Sequence, residues 1–170
     1  MKISTKKLVL TALFTALTAI ATMFIRIPLP MGYFNLGDAF IFLAIFILGP
    51  VLGTVAAGVG STIADLIGFI SYAPGTLIIK SLMALVVALI YKYALKSTNK
   101  NFISQLLAGI AGAIIMAFGY FLYETMFFTT AAVAIINLPY NLVQGAVGIV
   151  VSTAIMPILN KTNILEKLQK

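Results

Sequence analysis

The sequence predicts an all-α integral membrane protein, with six transmembrane helices in one compact bundle and both termini cytoplasmic. Three observations predict it. Of 170 residues, 62% are hydrophobic and 9% charged, with a mean hydropathy of +1.13, whereas soluble domains carry about 25% charged residues. The apolar residues fall in long runs, and a membrane helix needs about 20 of them. Lysines gather in the segments between runs and at the two ends, as cytoplasmic loops do.

The first helix is expected from about Leu8 to Ile25, behind the basic start Lys2, Lys6 and Lys7; no small-residue cleavage site followed by a soluble domain accompanies it. Arg26-Ile-Pro28-Leu-Pro30-Met-Gly32-Tyr-Phe-Asn35 breaks it, because proline and glycine interrupt helices. A second helix begins near Leu36 and stops at Gly49-Pro50; about 13 residues are short for a crossing without tilt or bilayer thinning. A third runs from Pro50 to about Ile70, and Ser71 to Gly75 reads as a turn. The fourth covers about Thr76 to Leu95, and the polar loop Lys96 to Asn101 separates it from a fifth, about Phe102 to Thr125. Residues 126–136 read equally as helix or loop. The sixth starts near Asn137 and ends around Pro157, before a polar tail with Glu166. With six crossings, nine lysines (Lys2, Lys6, Lys7, Lys92, Lys96, Lys100, Lys161, Lys167 and Lys170) share the side of the termini, against Arg26 and Lys80 elsewhere.

Composition also excludes chemistry. Cysteine and histidine are absent, which removes thiol nucleophiles, Cys-ligated metals, the usual neutral-pH base and the commonest metal ligand. No metal, cofactor or catalytic residue is expected. Scattered lysines in a lipid-committed chain do not form a nucleic-acid face. Gly75-Thr-Leu-Ile-Ile-Lys80-Ser81 ends like a phosphate loop but lacks the glycine before lysine, so ATP hydrolysis must come from elsewhere.

Ionisable residues within spanning segments are expensive and usually functional. Each such residue here falls within a few turns of the outer helix ends: Arg26, Asp38, Asp65, Lys80, Glu124, and with them Asn137, Asn141 and Gln144. A channel would need polar groups along the full depth. A pocket open only to the outside fits capture instead. Lys80, Glu124, Asn141 and Gln144 are its expected lining, the last two sharing a helix face. Asp38, in a first turn where its charge suits the helix dipole, reads as a capping or structural residue rather than a ligand contact. Arg26 reads equally as a snorkelling side chain, and Asp65 equally as a partner of Arg26 or Lys80. Tyr33, Phe34, Tyr72, Tyr120, Tyr123, Phe127, Phe128 and Tyr140 surround the same region, as an interfacial belt or as walls for a planar ligand. Small residues recur every fourth position, as in Ala12 and Ala16, Gly49, Gly53 and Ala57, or Gly109, Ala113 and Ala117; such spacing lets helices approach closely.

The blocks Arg26 to Asp38, Leu48-Gly-Pro50, Ala57-Gly-Val-Gly60-Ser-Thr-Ile-Ala64-Asp65 and Ala73-Pro-Gly-Thr-Leu-Ile-Ile-Lys80 resemble the S components, the substrate-binding subunits, of energy-coupling factor (ECF) vitamin transporters, in the subgroup for hydroxymethylpyrimidine, pyridoxine or pantothenate. The resemblance covers nearly the whole chain. It implies one transmembrane substrate-binding domain over 1–170, in a prokaryotic plasma membrane. That domain would bind a water-soluble vitamin or precursor from outside and dock on a transmembrane coupling subunit with two cytoplasmic ATPases. It implies Ala12 and Ala16 as the docking motif. It implies a pocket from Tyr33, Asn35, Lys80, Tyr120, Glu124, Tyr140, Asn141 and Gln144. The missing tryptophan argues against thiamine. A neutral pyridine or pyrimidine would use Glu124, Asn141 and Gln144, whereas pantothenate would use Lys80 or Arg26. The competing readings are a membrane enzyme on lipid substrates, which would want its carboxylates at the cytoplasmic face, and a stand-alone channel.

Overall fold

In the computed structural model, residues 3–29, 32–94 and 101–161 are described. Lys2, Pro30, Met31, Lys96, Lys100, Glu166, Lys167 and Lys170 lie outside them. The elements are α1 (Thr5–Phe24), β1 (Arg26–Pro28), β2 (Tyr33–Asn35), α2 (Gly37–Gly68), α3 (Ala73–Leu89), α4 (Asn101–Phe127), α5 (Ala131–Ala134) and α6 (Leu138–Lys161), with one π turn, Ile90–Ala94, after α3. Five helices among the described residues are long and apolar enough to cross a membrane.

The expected second and third helices form the single element α2, but it is not straight. Gly49 leaves the helical region at φ 78°, ψ −169°, a left-handed backbone that favours glycine, and Pro50 follows it. The two arms, 37–48 and 50–68, then lie side by side: a Cβ built on Gly53 would come within 2.8 Å of Ile45 Cα, although residues eight apart on a straight helix are separated by about 12 Å. Gly-Pro therefore makes a helical hairpin. The second arm packs on α1, where Gly60 has no room for a side chain against the Thr15 carbonyl (2.7 Å). The first arm packs on α6, where Gly148 sits against Asp38.

The expected break after α1 is a small β-hairpin, with Arg26 opposite Asn35 and Pro28 opposite Tyr33. It caps one end of the bundle. α1 rises to it and the first arm of α2 leaves it. The second arm of α2 returns to it, α3 starts beside it, α4 ends there and α6 begins there. Lys6, Lys7, Lys92 and Lys161 consequently lie at the far end. Residues 126–136 divide: α4 extends to Phe127, and α5 is a single turn.

Leu8, Leu13, Ile20, Val55, Ile78, Leu122 and Val150 are among the many large apolar side chains facing outward around the bundle, which suits lipid rather than water. Inside, Ile41, Phe42, Ile45, Met83, Val87 and Met116 form a closely packed core.

Candidate functional site

The site lies at the hairpin end, and each wall contributes residues about one helical turn apart. α2 supplies Ser61 and Asp65, α3 supplies Thr76 and Lys80, α4 supplies Tyr120 and Glu124, and α6 supplies Asn141 and Gln144. Spacings of three or four put each pair on one face. Thr22 at the end of α1, with Gly32, Tyr33 and Asn35 of the hairpin and Tyr72 before α3, completes the lining. The hollow between these walls is narrow: water-sized spheres find about 30 Å³ of room in it, within about 430 Å³ of atom-free space that includes open solvent at its mouth.

Its deepest feature is a charge pair. Lys80 Nζ donates to Asp38, which also accepts from Gln144 Nε2 at 2.7 Å. Gln144 Oε1 in turn accepts from the Asn35 backbone N–H (2.9 Å) and from Asn35 Nδ2 (3.2 Å). All four residues are buried. Removing a charge from water is expensive unless it is paired and hydrogen-bonded, and this network does both. Asp38 thus has a structural role, as expected: it does not cap α2, which lacks a side-chain cap, and instead neutralises Lys80.

Asp65 is not the partner of Arg26 or Lys80. It accepts from the Tyr33 hydroxyl and from Thr76 Oγ1 (2.5 Å), and the Thr76 hydroxyl also meets Tyr120 Oη at 2.9 Å. Arg26 does not snorkel freely. Its guanidinium donates to the carbonyls of Thr22 (3.0 Å) and Ala64 (3.1 Å), and it lies 4.5 Å from the Tyr33 ring centroid. Tyr33 also packs on Phe69 at 4.6 Å, so the hairpin is fastened to the end of α2. Glu124 is buried, and its two oxygens accept from Asn137 Nδ2 (3.2 and 3.3 Å) and one from Tyr72 Oη (3.3 Å). Burial pushes the Tyr33 hydroxyl above the ordinary phenol range, and the Asp65 charge adds to the shift. Tyr72 is raised in the same way, by burial and then by Glu124. Both hydroxyls stay protonated and serve as donors to carboxylates.

Of the expected pocket residues, Tyr33, Asn35, Lys80, Tyr120, Glu124, Asn141 and Gln144 come together around the hollow. Tyr140 does not, and this is a correction: it is 44% exposed, because it precedes Asn141 on α6 and so points to a different face. Residue reading had Tyr72 among the aromatics of this region and missed Thr22, Ser61 and Thr76. A positional signal was present for all three, since each stands four residues before a charged residue, Arg26, Asp65 or Lys80. The aromatic group is built around Tyr72, with Phe128 at 5.0 Å, Tyr123 at 6.1 Å and Tyr120 at 6.4 Å. Among the described residues, no group of three or more carboxylates is placed to hold a metal ion. Ala12 and Ala16 are exposed on α1, in an open groove with Leu8, Thr15 and Ile63.

A model of the ECF-type riboflavin transporter S component family matches residues 2–161. An uncharacterized protein encoded in the gap 3′ region of Pyrococcus woesei is 35% identical over 144 residues, covering 84% of this chain and 93% of that protein. The thiamine precursor transporter HmpT of Lactococcus lactis is 31% identical over 170 residues, covering 97% and 94%. The family and the Lactococcus relative carry the names of transporter components, not of enzymes. With its apolar helices and its site at one end, the chain belongs to the ECF-type riboflavin transporter S component family, as a multi-pass membrane component of a vitamin or vitamin-precursor transporter.

Proposed function

We propose that residues 1–170 act as one substrate-binding domain. It captures a small one-ring vitamin or precursor, of the hydroxymethylpyrimidine or pyridoxine type, from outside a prokaryotic cell and delivers it to an ATP-driven module. The observation that carries this reading is the charge arrangement of the hollow. Lys80 is neutralised by Asp38 and Arg26 is held by main-chain carbonyls, while Asp65 and Glu124 line the hollow and accept from the neutral donors Tyr33, Thr76, Tyr72 and Asn137. Such walls favour a neutral or cationic ligand bearing amino or hydroxyl donors. Tyr72 and Tyr120 offer ring faces to a planar heterocycle. Pantothenate, the carboxylate alternative, would have to displace Asp38 from Lys80 or the carbonyls from Arg26. The name of the Lactococcus relative supports the precursor reading.

The hairpin of α2 supports six crossings, with Lys6, Lys7, Lys92 and Lys161 grouped at the end that would face the cytoplasm. The groove at Ala12 and Ala16 supports docking there of a coupling subunit that works with two cytoplasmic ATPases. Small residues let a partner helix approach closely.

Calorimetry on the purified chain with hydroxymethylpyrimidine, pyridoxine, pantothenate and riboflavin tests the ligand. Binding of one of the first two is expected, and binding of pantothenate or riboflavin alone would overturn the reading. Ala12→Leu is expected to leave binding intact and abolish uptake in cells; normal uptake would remove the docking face.

A further inference from the structure

We infer that Ser61 and Thr22 form a subsite for a hydroxyl or hydroxymethyl substituent of the ligand, on the α1 and α2 wall of the hollow. The inference rests on the reading of this pocket as a vitamin-precursor site. Both residues line the hollow, and both are almost fully buried, at 1% and 4% exposure. Neither hydroxyl has a hydrogen-bond partner among the described residues.

That is unusual within this chain. A serine or threonine inside a helix ordinarily returns its hydroxyl to the carbonyl four residues back. Thr11, Thr15, Thr62, Thr125 and Thr153 all do so, at 2.6 to 2.8 Å. Ser61 and Thr22 stand in equally regular helix and do not. Buried polar groups are otherwise almost always paired. Thr18 and Thr54 share the lack of a partner, but they do not line the hollow and bear on no ligand.

Only a glycine fits beside Thr22, since a Cβ at Gly37 would collide with Thr22 Oγ1. Ser61 lies one turn, about 6 Å, deeper than Asp65 on the same face of α2. The hollow is therefore polarised. Carboxylates at Asp65 and Glu124 accept from donor substituents near the mouth. Two hydroxyls, each able to donate and to accept, stand on the α1 and α2 wall, Ser61 a turn deeper and Thr22 near the hairpin end of α1. A ring bearing an amino or phenolic group on one edge and a hydroxymethyl group on another satisfies both.

The test uses two matched pairs on the purified full chain: hydroxymethylpyrimidine with its methyl analogue lacking the hydroxyl, and pyridoxine with its deoxy analogue. Ser61→Ala and Thr22→Val are each expected to weaken the hydroxyl-bearing compound about fivefold to tenfold, the size of one lost hydrogen bond, and to leave its analogue within about twofold. Variants that bind both members as the wild type does, or that weaken both equally, would overturn the subsite while leaving the pocket's ligand class standing. A wild type that binds no member of either pair would overturn the ligand class, and this inference with it. Should one variant fail to fold, the other carries the test, together with the wild type's own preference, expected to be about tenfold or more, for the hydroxylated member; equal affinities would count against the subsite.

Discussion

The two ends of the bundle are built from the same kind of helix and treat polarity in opposite ways. At the hairpin end, Asp38, Asp65, Lys80, Glu124, Asn35, Asn137 and Gln144 are buried and bond across elements far apart in sequence. At the far end, among the described residues, the buried polar groups include Thr11, Ser104, Gln105, Ser152 and Thr153. There, Ser152 and Thr153 bond to carbonyls of their own helix, at 3.0 and 2.7 Å. The space between is filled by apolar side chains, with Phe46 against Tyr91 at 4.8 Å. A hydroxyl that returns to its own helix is hidden from its neighbours; a carboxylate held from two other parts of the chain shapes a cavity. One end thus gathers buried polar groups around a hollow, and the other is closed by apolar side chains.

The largest effect expected from disturbing this contrast is at the charge pair. Lys80→Met leaves Asp38 buried without a cation, which should cost about 3–5 kcal/mol. It should appear as a large fall in the unfolding midpoint of the detergent-solubilised protein. A stable Lys80→Met protein that still binds ligand would show the pair to be dispensable. Next is Glu124→Gln, which removes a charged acceptor at the mouth. A charge-assisted hydrogen bond contributes about 1.5–3 kcal/mol, so ligand affinity measured by calorimetry should fall by about 10- to 100-fold with the fold retained.

A smaller effect is expected at the hairpin. Tyr33→Phe removes one donor to Asp65, and about 1 kcal/mol of stability should go with it. The pH dependence has a definite sign. The folded Tyr33 hydroxyl holds its proton above the unfolded value, so its contribution is complete below about pH 10 and is lost as pH rises further. Unfolding midpoints should therefore converge for wild type and Tyr33→Phe in alkali; parallel curves would refute this. The smallest effects belong to Gln105→Leu, at the far end, and Tyr140→Ala, off the hollow. Both should leave affinity within about twofold, and a large loss from either would blur the division between the two ends.

The helices were legible because lipid imposes length and hydropathy on each of them. The gathering of polar residues toward one end was legible for the same reason, since their distances from helix ends can be counted. Pairing was not. Asp38 and Lys80 are 42 residues apart, and helix spacing says nothing about which faces meet. The β-hairpin was hidden because three-residue strands such as Arg-Ile-Pro are too short to show alternation. Tyr140 was drawn into the pocket by its neighbour Asn141, although adjacent helical residues point about 100° apart. For Ser61 and Thr22 the one signal was a charged residue four positions on, too little to single them out because most such hydroxyls in helices bond to local carbonyls.

Asp38, Lys80, Gln144 and Asn35 tie the first arm of α2 to α3, α6 and the β-hairpin through one shared carboxylate and one shared amide. An arm of a dozen residues would otherwise be the weakest stretch of the fold. With these ties its amides cannot open to solvent unless the neighbouring helices also let go. Hydrogen exchange along 37–48 should therefore keep pace with that of α3 and α6, so that the shortest limb of the protein is lost only when its partners are.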